Sequence, residues 1–78
     1  MALIRYFGQI AEATGCVEEK ISVGGINLQQ LLTTLNQRYN FDQYLTQVAV
    51  NHVIVGREKD LAIKDSDEIA LLPAYAGG

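Results

Sequence analysis

Cysteine, histidine and proline each occur once in this chain of 78 residues, and tryptophan not at all. A lone thiol, Cys16, can form neither an internal disulfide nor a multi-thiolate metal site, so the fold must rest on its core. Nothing beside Cys16 in the sequence would lower its pKa, and it reads as a small buried or half-buried residue rather than a nucleophile. His52 has no Ser, Cys or Asp placed by sequence to build a triad, and reads as a solvated residue in or beside a turn. Neither a metal-ligand spacing of His and Cys nor a dinucleotide fingerprint occurs, and Gly24-Gly25 lacks the lysine of a phosphate loop. Adjacent acids such as Glu18-Glu19 and Asp67-Glu68 point to opposite faces of a strand and cannot converge as an acid/base pair. The chain therefore reads as a protein with no catalytic machinery of its own.

Cationic clusters are missing as well. Six Lys and Arg are dispersed along a chain of net charge −3, which excludes the basic stripe that nucleic acid requires. No apolar run approaches the ~20 residues of a membrane helix. The opening Met1-Ala2-Leu3-Ile4-Arg5 lacks the charged head and apolar stretch of a signal peptide. These absences set the expectation of one soluble cytoplasmic domain, binding neither nucleic acid nor membrane.

Hydrophobic residues are plentiful, at 49%. Ala2 to Phe7 reads as a strand with large apolar groups on both faces, hence covered on both sides. Gly8 to Gly15 suits one or two helical turns. Cys16 to Val23 reads as an amphipathic edge strand, antiparallel to the first. Asn27 is a helix cap with Gln30 as its capping-box partner. Leu28, Leu31, Leu32, Leu35 and Tyr39 then form one face of a helix of about twelve residues, which Asn40 stops. Gln47 to Asn51 and Val53 to Gly56 form a hairpin about a tight turn. Arg57 to Asp67 is a charged connector pinned by Leu61 and Ile63, and Lys64-Asp65-Ser66-Asp67 is a turn. Glu68 to Leu72 is apolar on both faces, as in a central strand buried on both sides. A crossing helix favours parallel pairing of the first and last strands. The predicted fold is α+β: a β-grasp, with a mixed sheet of about five strands packed on one main helix. Residues 1–73 form the domain and residues 74–78 a flexible Gly-Gly tail.

That tail is the candidate functional element. Pro73 cannot donate to a ladder and ends the strand. The five residues beyond it reach about 17 Å when extended, at ~3.3–3.6 Å each. Gly77 and Gly78 have no Cβ, so the tip can thread a narrow channel in another protein. The terminal carboxylate is inert as an acyl donor until it is activated; adenylation would let a sulfur or amine nucleophile take the acyl group.

Ala49-Val50-Asn51 before a short strand, Asp65-Ser66-Asp67-Glu68-Ile69-Ala70, Leu72-Pro73 and the terminal Gly77-Gly78 together resemble the small subunit of molybdopterin synthase. So do the opening Ile4-Arg5-Tyr6-Phe7-Gly8 and the following Glu12 and Gly15. Two positions depart from the family pattern: Ser66 stands where the family often has Gly, and Ala74 where it often has a second Pro. The resemblance implies a ubiquitin-like sulfur carrier that binds no cofactor or metal. In that family an adenylating enzyme of the ubiquitin-activating type uses ATP to form an acyl-adenylate on the last glycine. A sulfur donor converts this to a thiocarboxylate. The tail then enters the large subunit of molybdopterin synthase, and sulfur passes to a pterin precursor of the molybdenum cofactor. Carried over, Gly78 bears the adenylate and then the sulfur, and Gly77 supplies clearance. Phe7, Ile54 and Leu72 match the family's partner interface, with core packing as their plainer reading. A sulfur carrier for thiamine or another pathway, a ubiquitin-like modifier joined to lysines, and a plain interaction domain stay open.

Overall fold

In the computed structural model, which describes residues 1–56 and 60–73, the first and last strands lie side by side. Strand β1 (Ala2–Tyr6) is followed by helix α1 (Gly8–Thr14), β2 (Glu18–Ile21), α2 (Leu28–Tyr39), β3 (Leu45–Val50), β4 (Val53–Val55) and β5 (Glu68–Pro73). The five strands form one sheet in the order β2-β1-β5-β3-β4. β5 takes the centre, parallel to β1 and antiparallel to β3, while β2 and β4 are antiparallel edges. This is the mixed sheet and single long helix expected from the sequence.

Helix α2 forms where local chemistry places it. The Asn27 side chain accepts from the Gln30 backbone N–H at 2.8 Å, and the Gln30 side chain accepts from the Asn27 N–H at 3.0 Å. This reciprocal box satisfies donors that the first helical turn leaves orphaned. Another such donor, the Leu28 N–H, is met by the Leu61 carbonyl at 2.7 Å. The Leu28, Leu31, Leu32 and Leu35 stripe is buried, and Asn40 closes the helix in the left-handed region at φ 57°. Against the stripe lie Ala2, Ile4 and Tyr6 of β1, Ile69 and Leu71 of β5, and Val48 and Val50 of β3, with Phe41 among them. Ile63 is buried and Leu61 half-buried, so both hold the connector as expected.

Two sequence expectations need correction. β1 and β5 are covered on one face only. Ile4, Tyr6, Ile69 and Leu71 are sealed, while Leu3, Arg5, Ala70 and Leu72, on the opposite face, are half-buried. The cause is supply: α2 is the sole long helix among the described residues and lies against one side. The second strand is also shorter than Cys16 to Val23. Val17 is exposed, and Val23 enters the core from beyond the strand.

Polar ties between distant segments complete the fold. Tyr6 and Tyr39 both donate their hydroxyls to Glu19 Oε1, at 2.6 and 2.7 Å, and Arg38 Nη1 lies 3.8 Å from Glu19 Oε2. Burial, then the Glu19 carboxylate, drives the Tyr6 phenol far above its ordinary pKa. At the far end of the sheet Asn51 and His52 form the hairpin turn, both at positive φ (52° and 71°), as a primed two-residue turn demands. Asn51 Nδ2 donates to Asp67 Oδ1 at 2.9 Å, its Oδ1 accepts from the Glu68 N–H at 2.9 Å, and Asp67 Oδ2 accepts from the Lys64 N–H at 2.8 Å. The Lys64 backbone bond, then the Asn51 amide, holds the Asp67 carboxyl below its usual pKa.

A group with a depressed folded pKa contributes stability above its unfolded value, near 4, and loses it as pH falls through the folded pKa. Asp67→Ala is therefore expected to cost about 1 kcal/mol at neutral pH. The gap from wild type should close at progressively lower pH below about 4. Urea melts at several pH values measure it; a gap independent of pH would contradict this account.

Candidate docking face and strand exit

The uncovered face of the sheet carries an ordered row. Strand pairing aligns Glu18 of β2, Arg5 of β1, Ala70 of β5, Ala49 of β3 and Ile54 of β4 across all five strands. Leu72 lies one step along, opposite Gln47. Phe7 continues β1 in extended conformation (φ −126°, ψ 151°), so strand alternation keeps it on this same side. The face thus has a floor of two alanines between larger apolar groups. Phe7 is 38% and Ile54 54% exposed, and Leu72 is half-buried. None of the three belongs to the buried core, and the register puts them on one surface.

Charged groups edge this surface. The Arg5 guanidinium lies 5.7 Å from the centre of the Phe7 ring, with Nη1 3.4 Å from Glu68 Oε2 and Nε 4.0 Å from Glu18 Oε2. His52 Nε2 is 3.9 Å from the same Glu68 oxygen, and its side chain is 80% exposed. Exposed pairs of this kind contribute little to stability; they order the side chains around the apolar floor. Sequence reading missed Arg5, Glu68, Ala49 and Ala70 as members of the face, because only the cross-strand register brings them together.

Leu72 leads to Pro73, the last strand residue, which pairs with Leu45 beyond a register shift between Leu45 and Gln47. Gly8 packs against the Pro73 ring from the other side. Gly77 and Gly78, the predicted acyl-carrying tip, lie outside the described residues, as do Arg57, Glu58 and Lys59. Cys16 is half-buried, with Sγ 3.7 Å from Thr14 Oγ1. Among the described residues no three His, Cys, Asp or Glu side chains gather as metal ligands, and no helix is long and apolar enough to cross a membrane. A groove on α2 is lined by Ile26, Gln29, Gln30, Thr33 and Thr34, without a titratable group.

A family model described as the ThiS family matches residues 4–78, nearly the whole chain. The chain belongs to the ThiS family. Solved structures share its fold. The small archaeal modifier protein SAMP1 from Haloferax volcanii superposes with a TM-score of 0.80 at 20% identity, over 99% of this chain and 98% of that one. A putative molybdopterin converting factor subunit 1 from Pyrococcus furiosus gives 0.76 at 22% identity, over 95% and 97%. SAMP1 from Methanosarcina acetivorans gives 0.74 at 22%, over 99% and 95%. No curated protein matches the chain significantly. This ThiS-family protein is thus a ubiquitin-like β-grasp protein of the small sulfur-carrier type, as the sequence resemblance implied.

Proposed function

We propose that this ThiS-family protein carries sulfur on Gly78 as the small subunit of a molybdopterin synthase in the cytoplasm. The observation that supports it most is the reach of the family match, which runs through Gly77-Gly78, on a fold whose central strand brings Pro73 to the margin of an uncovered apolar face. An adenylating enzyme of the ubiquitin-activating type joins the Gly78 carboxylate to AMP and releases pyrophosphate. A sulfide-level donor then attacks the acyl carbon, AMP leaves, and the thiocarboxylate remains. The large subunit would supply the pterin site, docking on Phe7, Leu72 and Ile54 while residues 74–78 enter it. The Pyrococcus furiosus structure, named a putative molybdopterin converting factor subunit, supports this branch.

The two SAMP1 structures, named as modifier proteins, favour a second reading in which an amine on another protein takes the acyl group. Intact mass after incubation with ATP, such an adenylating enzyme and sulfide separates the two. A gain of about 16 Da, one oxygen exchanged for one sulfur, supports the carrier. Conjugates of higher mass support the modifier, and an unchanged mass where a known carrier is loaded rejects both. Sulfur transfer to a thiamine precursor instead of a pterin would reassign the pathway and keep the carrier.

A further inference from the structure

We infer that Gly8 is a positioning residue for the end of β5: the absence of a side chain there lets Pro73 seat against the start of α1, which sets where the strand ends relative to Phe7 and Leu72. The inference rests on the carrier reading for its functional consequence. Its geometric basis is independent of that reading. A Cβ built on Gly8 would lie 2.9 Å from Pro73 Cγ, and 3.9 and 4.0 Å from Cδ and Cβ. Real Cβ atoms essentially never approach at 2.9 Å, so a side chain at residue 8 must displace the ring or the helix start. Gly8 also has φ +52°, in the region that favours glycine. Gly15, Gly24 and Gly25, by contrast, have open space where their Cβ would stand. Their glycines answer to local turns; Gly8 answers to the other end of the chain.

Pro73 is clasped from two sides. Gly8 meets it from β1 and α1, and Leu45 pairs with it from β3, just past the register shift. Such irregularities re-aim a strand end, and proline adds a fixed φ and no N–H. The seat couples the strand exit to the docking face through one covalent step, since Phe7 precedes Gly8 and Leu72 precedes Pro73. A partner seated on Phe7 and Leu72 therefore meets the end of β5 at a set place. A tail of five residues, about 17 Å when extended, leaves little slack for correcting a displaced origin. Misplacement by about 1 Å can cost 10²-fold in rate.

The test uses the full chain and the adenylating enzyme with ATP, following pyrophosphate exchange. Gly8→Val is expected to lower kcat about tenfold while KM for the carrier stays close to wild type, because the docking residues are intact. Adding Pro73→Ala to Gly8→Val removes the clashing Cγ and should restore part of the lost kcat, the part owed to the positive φ at residue 8 remaining. A merely structural role would lower thermal stability and, by reducing the folded fraction of the carrier, raise its apparent KM rather than lower kcat. If Gly8→Val fails to fold, Gly8→Ala reads the same contact at smaller amplitude. Wild-type kcat in a folded Gly8 variant, or a loss unrelieved by Pro73→Ala, overturns the inference. The seat is also read without any enzyme, as a nuclear Overhauser contact between the Gly8 Hα and Pro73 Hγ protons of wild type. Absence of that contact refutes the seat, whereas its presence in a chain that no enzyme adenylates refutes the carrier reading and leaves the seat standing.

Discussion

A chain ending at Gly77 is expected to gain no sulfur under conditions that load the full chain. The truncation leaves a carboxylate, so the chemistry is not removed. It is moved back by one residue, ~3.3–3.6 Å, from the place where an activating site would hold it. Loss of more than about 10²-fold follows, because reacting groups tolerate errors far smaller than that. Exposed side-chain carboxylates such as Glu12 and Asp60 sit on the body of the folded domain and cannot follow a chain tip into such a site. Cys16 is half-buried against Thr14, and the carboxylates of the uncovered face are engaged with Arg5 and His52. Stability should change by less than ~0.5 kcal/mol, since the described ladder of β5 ends at Pro73. Intact mass reads the loading, and a thermal melt reads the fold. A truncated chain that still gains sulfur would remove Gly78 from its proposed role.

The parts of this structure legible in the sequence are those decided over a few residues. Asn27, Gln30, the leucine stripe and Asn40 define α2 because caps and a 3.6-residue period act locally. Asn51 marks the hairpin turn for the same reason. The parallel pairing of first and last strands was also readable, from apolar content and the constraint of one crossing helix. Register was not. Leu3 and Leu72 look much like Ile4 and Leu71 in an apolar count, and only the placement of α2 makes one set core and the other surface. Glu19 gave no sign of binding Tyr6 and Tyr39, which belong to other elements. Gly8 could be read as a helix boundary, but not as the seat of Pro73. For the candidate face, Phe7, Ile54 and Leu72 came from family resemblance, and the strand pairing then sets them on one side with Arg5 and Glu68. Gly77 and Gly78 rest on sequence and on the family match.

Leu71 and Leu72 divide stability from docking at adjacent positions. Leu71 is fully buried and stands between Tyr6 and Val48 in the central strand. Leu71→Ala removes its transfer energy and leaves a cavity that neighbours on both sides cannot easily close, a cost of about 2–5 kcal/mol. A domain of this size has roughly 4–12 kcal/mol in total, and each 1 kcal/mol lowers Tm by about 4–8 °C. Leu71→Ala should therefore melt at least about 8 °C below wild type. Leu72 faces the opposite way, half-buried beside Gln47, and a glutamate there can turn its carboxylate into water. Leu72→Glu is expected to cost less than about 1 kcal/mol of stability. Against a partner docked on this face the same carboxylate would be desolvated in an apolar contact, at about 2 kcal/mol or more, the scale of an interface hot spot. That corresponds to at least roughly 30-fold in Kd. Melting both variants and titrating them against the large subunit decides the matter. If Leu72→Glu unfolds the domain, the residue is core after all; if it binds as wild type, the uncovered face is not where the partner sits.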